Sequence, residues 1–231
     1  CMDDRCIAFC DSGAGGLLLL KKIADAYPRE NFIYLADSEN LPYGDKSAAE
    51  LAAIGDGLIT RLNTFSPKLI VTACNTLSVT MAENRKDYGV KIVGVFPKIT
   101  AGNGYVFCTP RTAESSYAQK LASQGATVVG IKGLAEDVEN SLINGKTIDF
   151  NRYFSTFSKT VDYVSIGCTH YGFLLREFQK EFPYSAIIDG AEIAERRIRA
   201  FLDDHRCNRE RGSICFLGNK REKISGIYRD F

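Results

Sequence analysis

The chain has 231 residues, with 29 Lys and Arg against 28 Asp and Glu, eight Cys, two His and no Trp. A formal net charge of +1 leaves no surplus basic field to hold nucleic acid, and no apolar run approaches the roughly 18 residues of a membrane span. The opening residues lack the basic-then-apolar pattern of a signal peptide, so the expected place is the cytoplasm, where thiols stay free and a disulfide framework is not expected.

Cys1 precedes Met2, which reads as the natural start, and it carries no argument. The first apolar run, residues 6–10, reads as a strand. It leads through FCDSGAGG at 9–16 into a helix with Leu17, Leu20, Ile23 and Ala24 on one face. The glycines allow close backbone approach, and the helix N-terminal N–H groups suit a small anion. Neither the dinucleotide spacing nor the Walker pattern is present. A second strand, 32–36, precedes a helix marked by Leu51, Ile54, Leu58 and Leu62. Further runs follow at 69–73 and 92–96. Pro97 and KITAGNG at 98–104 then punctuate the chain as a crossing between domains would. Runs at 105–108, 127–131, 161–166 and 185–188 complete a series of short apolar strands alternating with helices. That pattern predicts an α/β fold with mostly parallel sheets.

Two of these strands end alike. VTACNT at 71–76 and VSIGCT at 164–169 each run from an apolar strand through a small residue and a cysteine to a threonine, and each leads into a helix. The matching ends predict two halves, and in open α/β sheets ligands sit at such places. Packing is the ordinary role of a cysteine at a strand end, and it is assigned to Cys6, Cys108, Cys207 and Cys215, and first to Cys10. Cys74 and Cys168 differ. Asn75 and Thr76 follow one, Thr169 and His170 the other, at helix amino termini that stabilise a thiolate. No two cysteines stand three apart and only His170 and His205 exist, so no metal site is expected.

The segments IAFCDSGAGGL, YLADSENLPYGDKS, VTACNTLS and SIGCTHYGFLL, followed by IIDGAEIA, resemble in order the signature blocks of the glutamate racemases, within the cofactor-independent aspartate/glutamate racemase superfamily. The resemblance spans most of the chain. It implies two pseudo-symmetric α/β domains, 1–97 plus 188–231 and 98–187, with the active site in the cleft between them. It also implies interconversion of L- and D-glutamate without a cofactor, supplying D-glutamate for peptidoglycan, with Cys74 acting on the D-isomer and Cys168 on the L-isomer. No lysine sits in a recognisable Schiff-base context for PLP. Asp11 would stand beside Cys74 and His170 beside Cys168. Substrate contacts carried over by position are Asp11, Ser12, Pro42, Tyr43, Gly44, Asn75, Thr76, Thr112, Thr169 and His170. The partner is the small-molecule substrate, with a homodimer implied by the family alone.

Plainer roles compete at several positions: a helix N-cap for Asp11, a scaffold histidine for His170, a simple turn for Pro42–Gly44, and a helix cap for Thr109 or Thr112. The chain also departs from the family. Where a Cys-Pro and a Val-Pro-Leu-Val-Glu stretch are usual, it reads IKGLAEDVENSL, so Glu139 is the candidate for the assisting glutamate and an exposed helix carboxylate is the alternative. A usual Glu-Pro is Phe96–Pro97, the spacing between the cysteine motifs is short, and the tail after Phe216 is short and lysine-rich. An aspartate-selective or broad racemase, whose aspartate members resemble GCTE rather than GCTH, and a non-catalytic amino-acid-binding regulator are the competing functions.

Overall fold

Valine, isoleucine, leucine and phenylalanine dominate the short apolar runs, and runs with no polar alternation settle where a strand is covered on both faces. The computed structural model describes residues 2–231, so Cys1 lies outside the described residues. Each of the eight expected runs overlaps a strand: β1 (Ile7–Asp11), β2 (Asn31–Ala36), β3 (Leu69–Thr72), β4 (Lys91–Gly94), β5 (Gly104–Cys108), β6 (Thr127–Gly130), β7 (Tyr163–Gly167) and β8 (Ala186–Asp189). A ninth, β9 (Ser213–Leu217), was not among those runs. Its residues are exposed or half-buried because it lies at a sheet edge, although residues 214–217 are as apolar as the other runs.

The strands form two sheets in the orders β4-β3-β1-β2-β9 and β6-β5-β7-β8, with every pair parallel. The expected α/β fold with two parallel sheets is the one observed. Helices α1 (Leu17–Ala26), α2 (Ala48–Asn63), α3 (Asn75–Asn84), α4 (Pro110–Ala113), α5 (Ser116–Ser123), α6 (Leu134–Asn144), α7 (Phe150–Phe154), α8 (Leu175–Glu181), α9 (Ala191–Asp204) and α10 (Arg221–Arg229) surround them. The lysine-rich tail therefore ends in a helix, which buries Ile224 and Ile227. Local sequence explains the firmest boundaries. Ser47 and Glu50 form a reciprocal capping box at the start of α2, and Ser115 caps α5 through the Ala118 N–H. Among the described residues no helix is long and apolar enough to cross a membrane.

The chain passes from the first sheet to the second after β4 and returns after β8. At the return a Cβ on Gly190 would overlap the Phe96 carbonyl oxygen, so the two crossings lie against each other. The amino ends of the first sheet are pinned by a buried ion pair, with Lys68 Nζ 2.7 Å from Glu30 Oε2. Lys68 also donates to the carbonyls of Asp3 and His205 at 2.8 and 2.7 Å, and the Cys207 N–H donates to Glu30 Oε1 at 3.1 Å. This knot ties the returning segment to the start of the chain. All seven described cysteines are free thiols. Cys10, Cys108 and Cys207 are buried as packing residues should be, and Cys6 is half-buried. Cys215 departs from expectation, since its place on the edge strand leaves it exposed.

Candidate active site

Parallel strands deliver their last residues to one end of a sheet, and here the carboxyl ends of the two sheets meet. Asp11 ends β1, Cys74 joins β3 to α3, and Cys168 joins β7 to a short 3-10 helix at Thr169–Leu174. Cys74 and Cys168 retain only 6% and 5% of their surface, and Asp11, Ser12, Asn75, Thr76, Thr112, Glu139, Thr169 and His170 are likewise buried. These groups are closed off from solvent between the two sheets.

The glycine-rich loop after β1 explains how they close so tightly. A Cβ on Gly13 would strike the Glu139 carboxylate, and one on Gly15 would lie 2.7 Å from His170 Nδ1 and 2.9 Å from Thr169 Oγ1. The close approach expected of these glycines is thus to the second lobe. The anion at the loop is the chain's own, since the Ala14 N–H donates to Glu139 Oε2 at 2.8 Å. Glu139 is therefore not an exposed helix carboxylate. It is buried on α6, and its Oε2 also lies 2.8 Å from His170 Nε2.

Asp11 collects loop donors without capping α1, whose N-cap is Gly16. Its Oδ2 accepts from the Gly13 and Gly16 N–H groups at 3.3 and 3.1 Å, and the Tyr34 hydroxyl lies 3.2 Å away. Its Oδ1 is buried and has no partner. Burial raises the Asp11 carboxyl above the ordinary range, against the pull of His170 and the loop N–H groups. Burial also pushes the Cys74 thiol up, and the neighbouring Asp11 charge pushes it further. On the other side burial disfavours a charged His170. Hydrogen bonds to Cys168 and Glu139 outweigh it and hold the imidazole well above its usual pKa. Burial likewise opposes the Glu139 charge, yet the His170 contact and the Ala14 N–H keep its carboxyl below the usual value. One thiol thus faces a carboxyl and the other an imidazolium paired with a carboxylate.

Hydroxyls close a third side. Thr76 and Thr109 Oγ1 atoms lie 2.8 Å apart, Thr109 donates to Thr112 at 3.1 Å, and Thr112 donates to Thr76 at 3.2 Å, a ring of three that joins α3 to α4. Thr109 fills the cap role, accepting from the Thr112 N–H at 3.3 Å. Its second role, the contact with Thr76, has no local sequence signal. Pro42–Gly44 is more than a turn, because a Cβ on Gly44 would sit 2.9 Å from Thr109 Cβ. The Tyr43 hydroxyl is anchored by Asp37 Oδ2 at 2.6 Å, and Asn75 Nδ2 donates to the Val95 carbonyl at 3.2 Å. Arg111 pairs with Glu114 at 3.2 Å. Among the described residues no group of three or more His, Cys, Asp and Glu is arranged to hold a metal ion.

No family model matches the chain. A glutamate racemase of Clostridium botulinum (strain Okra) is 30% identical, over 96% of this chain and 94% of that protein. One from Carboxydothermus hydrogenoformans is 31% identical over 89% and 83%. Among solved structures, Escherichia coli glutamate racemase in complex with L-glutamate has a TM-score of 0.81 at 23% identity, covering 98% of this chain and 95% of that one, a likeness of fold. Glutamate racemase from Aquifex pyrophilus has a TM-score of 0.73 at 27% identity, covering 96% and 94%. Two strand-end cysteines enclosed between two parallel sheets, and a match running nearly end to end through both, place this chain among the glutamate racemases.

Proposed function

We propose that the chain interconverts L- and D-glutamate by a two-base proton transfer at the α-carbon, with Cys74 and Cys168 on opposite faces, and so supplies D-glutamate for peptidoglycan. The observation that carries this is the pair of buried thiols at corresponding strand ends, one beside Asp11 and one beside His170. Inversion needs a base on one face and an acid on the other. Burial and the neighbouring Asp11 charge favour the protonated form of Cys74, the form that can supply a proton to one face of the α-carbon while the base acts on the other.

The α-proton of an amino acid is a very weak acid, so a thiolate alone is mismatched to it. The deficit falls to fixed donors in a water-excluded site, which act where charge develops on the substrate carboxylate. In this scheme Asn75, Thr76, Thr112 and Thr169 hold the α-carboxylate and amino group, with Asp11 and His170 at the reacting centre. Ser12 and the Pro42, Tyr43 and Gly44 loop take the distal carboxylate. Glu139 acts through His170. The lobes that close over substrate are the domains 1–97 plus 188–231 and 98–187, and pairing of all four β8 residues from Ala186 to Asp189 with β7 favours placing the return just after Asp189. The enzyme works without a cofactor, in the cytoplasm, as a homodimer.

Incubation with L-glutamate in deuterated water should yield D-glutamate with deuterium at the α-carbon, and glutamate should turn over faster than aspartate. Cys74→Ser and Cys168→Ser should each abolish racemisation. Absence of both the D-isomer and α-deuteration in the unaltered protein rejects the assignment.

A further inference from the structure

Three donors on Asp11 Oδ2 leave Oδ1 as the one oxygen free to exchange a proton with Cys74 or meet a substrate ammonium, so whatever fixes Oδ2 decides what the carboxyl presents. Two of the donors are backbone N–H groups of the glycine loop. The third is the hydroxyl of Tyr34 on β2, a fully buried residue whose ring stacks on Phe9 at 6.5 Å and packs against Phe216 of β9 at 6.1 Å. Strand pairing and core packing therefore set the hydroxyl's position. Gly16 keeps its surroundings clear, since a Cβ there would come within 3.1 Å of the phenol oxygen and closer still to Ala73. A second acceptor, the Gly13 carbonyl, lies 2.8 Å from the same hydroxyl.

We propose that Tyr34 is a positioning residue for Asp11, donating its one proton to Oδ2 when the carboxyl is charged and turning it to the Gly13 carbonyl when Oδ1 has taken a proton. This rests on the racemase reading of Cys74. The tyrosine keeps its own proton throughout, because burial, and then the Asp11 and Glu139 charges, raise its pKa far above the ordinary value. The other titratable groups around Asp11 are Cys10 on its own strand, Cys74 across the first lobe, and His170 and Glu139 from the second. Of these, Tyr34 alone is hydrogen-bonded to the carboxyl, so its removal acts on Asp11 first.

Two readouts test this on Tyr34→Phe. The Asp11 carboxyl, followed by carbon-13 NMR and assigned with Asp11→Asn, should titrate about one pH unit higher once a hydrogen bond to the charged form is gone. The enantiomers are equally stable, so kcat/KM must fall equally in both directions, by about tenfold for a loss of that size. The kinetic isotope effects will not move together. With α-deuterated D-glutamate, where Cys74 removes the deuteron, the effect should rise, and with α-deuterated L-glutamate it should fall. A general loosening of the fold would not produce that opposition. If Tyr34→Phe does not fold, Phe216→Leu, which removes one brace and leaves the hydroxyl, should move both readouts in the same senses by less. Unchanged Asp11 titration and unchanged isotope effects in a racemising protein overturn the proposal. Because the titration needs no turnover, a Tyr34→Phe shift of the expected size alongside an unaltered protein that does not racemise overturns the racemase reading instead.

Discussion

Asp11 is a buried carboxyl that costs stability when charged. Its folded-state carboxyl has a raised pKa, so between the unfolded value near 3.9 and the folded one the native chain holds more protons than the unfolded chain, and stability falls as pH rises through that window. Asp11→Asn keeps an oxygen for the loop N–H groups and removes the buried charge. It should raise the melting temperature at pH 7–8 by roughly 2–8 °C, the size that about 1–2 kcal/mol gives in a chain of this length, while racemisation is lost. Scanning calorimetry from pH 4 to 8 should show the gain vanish at the acid end. His170 and Glu139 run the other way. The raised imidazole pKa contributes stability below about pH 6.5 that is lost as pH climbs through the folded value, and the lowered Glu139 contributes stability lost on acidification. At this scale the sequence was most informative about which residues come together at strand ends, as for Asp11, Cys74 and Cys168. It was least informative for Glu139, because helical spacing cannot tell a solvent-facing carboxylate from one turned into a neighbouring lobe.

Among the elements, the loop between β1 and α1 and the helix α3 both reach the second lobe. Gly13→Ala and Gly15→Ala each add one methyl group against Glu139 or against His170 and Thr169, and neither neighbour is free to move, since Glu139 is held by Ala14 and His170. Each should reduce kcat/KM about a hundredfold or more, as misplacement by about 1 Å does, with the melting temperature little changed. A direct racemisation assay beside a thermal melt separates the two effects. Helix α3 starts at Cys74 and ends near Glu83, whose carboxylate accepts from both the Ser116 N–H and Ser116 hydroxyl at 2.7 and 2.8 Å, at the first turn of α5 on the other lobe. This bond, like the threonine ring, joins residues over 30 positions apart and leaves no local pattern to read.

At the scale of the whole molecule, the first lobe is assembled from both ends of the chain, and the Glu30–Lys68 knot is where they are fastened. Lys68→Met should lower stability by about 3–5 kcal/mol in denaturant unfolding, because it strands a buried carboxylate, whereas a joint Glu30→Leu and Lys68→Met change should recover most of the loss. The two-sheet plan was legible because parallel strands buried on both faces announce themselves. The edge strand β9 was not read, although residues 214–217 form an unbroken apolar run and it lies at a sheet edge just as β6 and β8 do. The crossings bear on motion. With Gly190 pressed on the Phe96 carbonyl and the Tyr117 hydroxyl bonded to the Pro97 carbonyl at 2.8 Å, the two connections run as adjacent pivots. Adjacent pivots permit rotation about a common axis and resist sliding. A rotation of that kind would set the gap between the two sulfurs through a single angle, so a bulkier residue at position 190 should alter racemisation in a direct assay by resetting that angle.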